Sequence, residues 1–453
     1  MMLKSINPYT NRMIGEYEEY PEEKLEEILN NSSSAFKKWK RTEFSYRRSL
    51  MNKVADILNN NIKDLSLAIT LEMGKPVRES RAEVEKCAWV CKYYAANAEE
   101  FLKDENVEAD THQSYVSYEP LGTILGIMPW NYPFWQVFRF AVPTLMAGNT
   151  IVLKHSSNVQ NCARHIEEIF TKAGFPLFVF SNLVIGSSRV KKVIEHDAIK
   201  AVSLTGSESA GEKVAEAAGR NIKKSLLELG GSNAFIVLDD ADLENAAVTA
   251  VKARMMNAGQ SCIAAKRFIV QESISDKFIG LFRDKINKLM IGDPSNEETD
   301  IGPLATVKQA EQVEYQVQAS IDMGAKLIMG GNRDSAFFSP ALMVDVMPGM
   351  PVFDEEVFGP VAPVIVARDA AEAVSLASQT KFGLGVTIFT NDLVKARKLA
   401  GEFKDGAVFV NELVKSDPRL PFGGTGKSGY GRELAIHGIR EFVNVKTIYI
   451  KKV

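Results

Sequence analysis

The 453-residue chain reads as an α/β protein of two domains with a small additional β element. Three observations predict this. The length exceeds what one compact core serves. From Leu121 onward, short apolar runs alternate with amphipathic stretches at helical spacing, the pattern of parallel βαβ units. A second series of the same kind begins near Asn233.

Before this alternation the first hundred or so residues read as helical. Leu25, Ile28, Leu29, Phe36 and Trp39 recur at helical spacing, as do Leu50, Val54, Ile57 and Leu58. The polar run Asn30-Asn31-Ser32-Ser33-Ser34 falls on an exposed turn of the first of these helices. Gly74 and Pro76 stop a helix after Glu72-Met73, and another runs over 78–101. Over 107–118 the spacing changes to a β-like alternation. Strands are then predicted over 123–128, 150–154, 183–185 and 201–204, with helices over 134–146 and 159–172. The second series predicts strands over 235–238, 268–270 and 327–329 and a helix over 243–256. A short alternating strand with a basic end closes the chain over 447–453. In parallel sheets of this kind ligands gather at the carboxyl ends of the strands.

The composition narrows the function. Basic and acidic side chains number 54 and 57, for a formal net charge of −3. That balance gives no reason to expect nucleic acid or an anionic membrane as partner. No apolar run has the length of a membrane span, and the N-terminus has neither the apolar core of a signal peptide nor the arginines of a transit peptide. A cytoplasmic location is expected. Four cysteines are too few for a disulfide framework. Cys87 and Cys91 share a helical face, but no Cys or His cluster completes a metal site, so these two and Cys162 are expected to be packing residues.

The fourth cysteine is different. In Asn257-Ala-Gly-Gln-Ser-Cys262 the thiol follows Gly259 and Gln260, where the backbone can bend tightly. Alone, such a cysteine is ordinarily a small buried hydrophobe. Upstream, Leu227-Glu228-Leu229-Gly230-Gly231-Ser232-Asn233 embeds a carboxylate among apolar residues, a setting that raises its pKa and makes it a better base near neutrality. In this order the two stretches resemble the NAD(P)-dependent aldehyde dehydrogenase superfamily, and within it the short bacterial succinate-semialdehyde dehydrogenases. The resemblance runs from Ile6-Asn7-Pro8 to the C-terminal strand. It implies a Rossmann-type cofactor-binding domain over 1–101 and 121–230, an α/β catalytic domain over 231–435, and a small β oligomerisation element over 102–120 and 436–453. A homodimer or homotetramer is expected, because the β element leaves open edges in a monomer.

The resemblance also assigns a cofactor site. The usual Gly-x-Gly-x-x-Gly is absent. Leu204-Thr205-Gly206-Ser207-Glu208-Ser209-Ala210-Gly211 stands in its place, with Gly206, Ser207 and Gly211 at a helix N-terminus that suits a pyrophosphate. From the residues alone, a plain strand-to-helix turn with a Ser cap explains the stretch equally well. Lys154 matches the lysine that contacts the adenosine ribose. Ser157, three residues on, replaces the carboxylate that would repel a 2′-phosphate, so Lys154 and Ser157 favour NADP over NAD. Glu356 matches the ligand of the nicotinamide ribose, Phe358 lies against that end, and Trp130 and Leu229 flank the cofactor.

The implied chemistry oxidises an aldehyde to an acid. Cys262 is the nucleophile, Asn131 and the Cys262 backbone N–H hold the oxyanion, and Glu228 activates water against the thioester. Lys154 counts with these among the expected catalytic residues. An unperturbed thiol has a pKa of about 8.5. Whether the bound nicotinamide's charge or Glu228 through a water ionises Cys262 stays open. None of the five histidines falls in a catalytic motif of the family, which disfavours a Cys–His dyad. Ser261 rather than a second cysteine precedes Cys262, so no two-cysteine redox switch is available. Arg139, in Trp135-Gln-Val-Phe-Arg139, is the candidate for a distal carboxylate of the substrate, with Tyr132, Trp135, Ser261 and Arg419 lining the same pocket. The expected substrate is succinate semialdehyde. The alternatives are glutarate semialdehyde or medium aliphatic aldehydes, and a cofactor-binding structural protein without catalysis.

Overall fold

The computed structural model describes residues 2–452. Two mixed sheets carry the architecture. The first has six strands in the order Gly429–Tyr430, Lys224–Glu228, Ile199–Thr205, Thr123–Met128, Thr150–His155, Phe180–Asn182. All neighbours in it are parallel except Gly429–Tyr430, which returns from late in the chain to pair antiparallel with Lys224–Glu228. The second has seven strands in the order Lys326–Met329, Ala341–Val344, Val361–Ala367, Ala265–Gln271, Asn233–Val237, Val386–Phe389, Val408–Val410. Only its first pair is antiparallel. Helices cover both sheets, as parallel sheets require. A separate three-stranded sheet pairs Val443–Ile450 with the whole of Gln113–Pro120, and Glu105–Asn106 adds to the other side of the latter.

Central strands such as Thr123–Met128 and Asn233–Val237 are buried on both faces, which explains their unbroken apolar runs. Gly126 on the former lets the helix Trp135–Met146 lie directly on the sheet, because a Cβ there would meet Phe140. The helix Ile62–Met73 ends where Gly74 takes a left-handed conformation.

The structure departs from expectation in several places. The N-terminus opens with an antiparallel pair, Met2–Ile6 and Met13–Glu18, rather than helix; its outward residues are polar or exposed, so no apolar periodicity announces it. The strand predicted over 183–185 is instead Phe180–Asn182, after which the Ile185 N–H turns back to the Leu183 carbonyl. Lys224–Glu228 and Gly429–Tyr430 of the first sheet and four strands of the second, Ala341–Val344, Val361–Ala367, Val386–Phe389 and Val408–Val410, go beyond those the sequence predicts; most are short, and the longest, Val361–Ala367, contains Pro363. Among the described residues no helix is long and apolar enough to cross a membrane.

One buried ion pair holds the loop after Thr123–Met128 in place. Glu83 lies on the helix Val77–Phe101, fully enclosed with Lys75. Its Oε1 accepts the N–H groups of Phe134 (2.8 Å) and Trp135 (2.9 Å), the free donors at the start of the next helix. The Lys75 ammonium sits 3.7 Å from the centre of the Tyr132 ring. Glu83→Ala leaves a buried lysine uncompensated, so it is expected to cost about 3–5 kcal/mol; thermal melting against the wild type measures it, and Glu83→Gln, which keeps an acceptor, is expected to lose less.

Candidate active site

Three adjacent strands of the first sheet deliver residues to one place. Met128 leads into Pro129-Trp130-Asn131-Tyr132, Thr205 into Gly206-Ser207, and Glu228 is the last residue of its strand, paired with Thr205. Opposite them stands the loop between the helix Leu243–Met255 and the strand Ala265–Gln271. Asn257, Ala258 and Gly259 are three consecutive left-handed residues in this loop, with φ of 54°, 50° and 74°. For Asn and Ala that conformation costs about 1–3 kcal/mol each and persists only where the surroundings enforce it.

The enforcing bonds are visible. Asn257 N–H donates to Glu79 Oε2 (2.7 Å), and its Nδ2 donates to the Asn131 carbonyl (2.8 Å) and the Gln260 carbonyl (3.2 Å). Asn131 Nδ2 donates to the Gln260 carbonyl (3.1 Å). Gln260 Oε1 accepts the Ala305 N–H (2.9 Å). After the turn, Lys266 Nζ donates to the Ser261 (2.8 Å) and Cys262 (3.1 Å) carbonyls and pairs with Glu356 Oε1 (3.1 Å). Asn233 Nδ2 also donates to the Cys262 carbonyl (2.8 Å).

This loop places Cys262 where two cavities meet. The larger, about 590 Å³, is lined by Tyr132, Trp135, Arg139, Ser261 and Cys262. The smaller, about 280 Å³, is lined by Trp130, Asn131, Gly206, Ser207, Leu229, Glu356, Phe358 and Cys262. Cys87, Cys91 and Cys162 are buried away from both.

Burial pushes the Cys262 thiol up to about 11, against the lowering effect of Arg139 and Lys266, so the resting sulfur is protonated at neutral pH. Burial likewise raises Glu228 to about 8; Arg139 opposes this and Glu433 adds to it. Neither Glu228 carboxyl oxygen has a hydrogen-bond partner among the described residues. Asn131 is buried, and Gln260 uses one of its two amide hydrogens. The Cys262 N–H donates to no carbonyl among the described residues.

The remaining expected residues divide. Glu356 accepts the Gly231 N–H (3.0 Å), and the Trp130 and Phe358 rings meet edge to face, 5.8 Å apart. Ser207 caps the helix Glu208–Arg220 by accepting the Ala210 N–H, so its cap role is real even where it lines the cavity. Gly211 does not line the cavity; a Cβ there would strike Leu229 Cδ1 at 2.6 Å, and its glycine serves helix packing. Lys154 and Ser157 lie at and just past the end of the neighbouring strand Thr150–His155, outside the smaller cavity. Burial lowers the Lys154 ammonium, and Glu19 opposes it. Arg139 reaches the larger cavity, but its charge is met by Glu433 in a buried ion pair, and its guanidinium lies 4.5 Å from the Phe422 ring centre. Arg419 does not line the cavity. It is exposed, paired with Asp417 (2.7 Å) and laid over Trp89. Sequence reasoning missed Lys266 and Glu433. Lys266 carried a signal, one of two adjacent charges opening a strand that is apolar from Phe268 to Val270; Glu433 carried none.

The aldehyde dehydrogenase family profile matches residues 1–448. The chain belongs to the aldehyde dehydrogenase family. It is 46% identical to a probable NADP(+) succinate-semialdehyde dehydrogenase of Synechocystis, over 99% of this chain and all of that one. It is 42% identical to an NADP(+) succinate-semialdehyde dehydrogenase of Mycobacterium tuberculosis, with the same coverage. Its fold is similar to that of succinic semialdehyde dehydrogenase from Streptococcus pyogenes in complex with NADP+, with a TM-score of 0.97 and 36% identity over 99% of this chain and all of that one. An aldehyde dehydrogenase needs a nicotinamide cofactor, and the smaller cavity fits one. Glycines 206 and 230 line it, and a Cβ on Gly230 would collide with the Glu356 carboxylate. The N-terminus of a 13-residue helix, Glu208–Arg220, follows Gly206-Ser207.

Gly259→Ala tests the loop. A Cβ there would collide with the Gly359 carbonyl oxygen at positive φ. The variant is expected to lose about 2 kcal/mol or more and to label more slowly with iodoacetamide at Cys262, read by peptide mass spectrometry.

Proposed function

We propose that the chain oxidises succinate semialdehyde to succinate with NADP+. The observation that carries this is Cys262 at the junction of two cavities, with Asn131 lining the smaller of them; Glu228 lines neither, but its unpartnered carboxyl is near enough to act on the Cys262 thiol. NADP+, bound in the smaller cavity, supplies the hydride acceptor. Glu356, with Phe358 and Trp130 beside it, would hold the nicotinamide end. Lys154 and Ser157 would hold the adenosine ribose and its 2′-phosphate.

Cys262 Sγ adds to the aldehyde carbonyl carbon and its proton leaves to solvent or a nearby base. Asn131 Nδ2 and the Cys262 N–H donate to the new oxyanion, which is why both keep a free hydrogen. After hydride loss the acyl group remains on Sγ as a thioester. Glu228 then takes a proton from water as the water oxygen attacks the thioester carbon. The acid leaves, and the sulfur departs as thiolate. A carboxylate without fixed partners suits this role, because it can turn toward the water.

The same frame supports the domain division. The first sheet would carry cofactor and the second the nucleophile's loop, with Gly429–Tyr430 returning to the first. Val443–Ile450 exposes Val445, Tyr449 and Ile450, and would associate subunits into a homodimer or homotetramer. One observation favours broader use: Val251, Met255, Ile263 and Leu413 give the larger cavity much apolar wall, which suits aliphatic aldehydes. Rates with succinate semialdehyde against butanal, each with NADP and NAD, decide. Preference for the semialdehyde with NADP supports the proposal, and turnover of butanal alone overturns the substrate.

Glu228→Gln is expected to keep a single-turnover burst of NADPH while steady-state turnover falls about 100-fold or more. In the wild type only the ionised form of Glu228 accepts a proton, so steady-state turnover should rise with pH through about 8, and the variant should lose that rise. Ser157→Glu is expected to lower the NADP-to-NAD ratio of kcat/KM by about 10-fold or more, measured from initial rates.

A further inference from the structure

Among the described residues, two line both cavities: Cys262 and Gln136. Gln136 is the second residue of the helix Trp135–Met146 and is 2% exposed. Its neighbours on the helix are tied down. The Trp135 indole N–H donates to Ser416 Oγ (3.0 Å), and Arg139 pairs with Glu433. The backbone of Gln136 is satisfied too, its N–H donating to the Tyr132 carbonyl (3.0 Å). The side chain is not. Its Oε1 has no hydrogen-bond partner among the described residues. Buried amide oxygens are ordinarily paired, and leaving one unpaired is costly. An orphan acceptor beside a reactive thiol calls for a donor that the protein does not itself supply.

Glu228 is in the same condition, with both carboxyl oxygens unpartnered. Thr205 and Arg139 bring the two together. Thr205 pairs with Glu228 across neighbouring strands and lines the smaller cavity with Gln136. Arg139, one turn along the helix from Gln136, donates from Nη2 to Thr205 Oγ1 (3.4 Å) and opposes the rise that burial gives the Glu228 carboxyl. An ionised carboxylate and an amide oxygen both only accept, so they cannot bond to each other. The Gln136 amide nitrogen does not reach the carboxylate either, since both Glu228 oxygens are free. A water molecule has two hydrogens and can give one to each acceptor. Held in this way, it keeps its lone pairs turned away from both.

We infer that Gln136 is a catalytic residue of deacylation: its Oε1 and Glu228 together hold the water that attacks the thioester on Cys262. This rests on the reading of Glu228 as the base. The water oxygen adds to the thioester carbon while one of its protons passes to Glu228. The other hydrogen stays on that oxygen, bonded to Gln136 Oε1. The C–S bond then breaks, the sulfur leaves as thiolate, and the acid carries the remaining hydrogen away. Gln136 neither takes nor gives a proton; it fixes the direction from which the water attacks.

The step can be read on the protein alone, because p-nitrophenyl acetate acylates a reactive thiol without cofactor. With enzyme in excess, release of p-nitrophenol gives the rate of acylation. Rapid-quench mass spectrometry of the Cys262 peptide gives the rate at which the acetyl group is lost. Gln136→Met, with Gln136→Leu as a second variant and melting temperatures as a fold control, is expected to acylate at near the wild-type rate. It is expected to lose the acetyl group about 10- to 100-fold more slowly, the effect of one buried hydrogen bond. Hydroxylamine attacks a thioester without a base, so it should strip the acetyl group from variant and wild type equally; a merely displaced acyl group would resist it. Folded variants that deacylate at the wild-type rate, that acylate as slowly as they deacylate, or that resist hydroxylamine as well as water overturn the inference. A Glu228→Gln protein that deacylates at the wild-type rate overturns the base reading beneath it.

Discussion

The site depends on one seam. The Asn131 loop comes from the first sheet and the Asn257–Cys262 loop from the second series. Two side-chain amides cross between them: Asn257 Nδ2 to the Asn131 carbonyl, and Asn131 Nδ2 to the Gln260 carbonyl. Neither loop is regular, so its backbone groups need partners from elsewhere. Each loop supplies them to the other. The left-handed run at Asn257-Ala258-Gly259 is tolerable only under that bracing. The result is a thiol and an amide donor that face one cavity from loops of two different sheets.

The bracing has an electrostatic cost that shapes the chemistry. To be held this way, Cys262 and Glu228 are taken out of water, and burial favours the neutral form of each. Both groups therefore rest protonated or nearly so at neutral pH. In the proposed reaction, where Cys262 is the nucleophile and Glu228 the base, this has a use. Two adjacent anions would repel each other, whereas a thiol and a carboxyl coexist and ionise in turn. Arg139 and Lys266 set the limits of that shift, since each favours the thiolate. Lys266 also bonds the Cys262 carbonyl and Glu356, so one cation ties the nucleophile's loop to the wall of the smaller cavity.

How much of this was legible in the sequence follows from the range of each interaction. The alternation of apolar runs and helices is local, and it predicted the parallel sheets. Cys262, Glu228 and Asn131 lie in compact motifs with glycine or proline beside them, and those motifs carried the family resemblance. The N-terminal strand pair was not legible, because exposed strands with mixed side chains show no clear period. Gly211 and Arg419 illustrate a second failure. Both sit next to site residues in sequence, but the helix turns Gly211 onto Leu229, and Asp417 draws Arg419 to the surface. Glu433 was invisible for the converse reason: nothing near it in sequence says what it faces after folding.

Arg139 shows why charge alone is a poor guide to a binding role. From sequence it is a guanidinium two turns into a helix beside the site, well suited to a carboxylate. In the fold it finds a carboxylate already, Glu433, and both are fully enclosed. A buried pair of this kind is expensive to break, because either partner left alone is an uncompensated charge. A substrate carboxylate at Arg139 would have to compete with that pair. Binding strength depends on the difference between the free and bound states. A charge already answered in the free protein therefore gains less from a ligand than one that is not, and Arg139 is of the first kind.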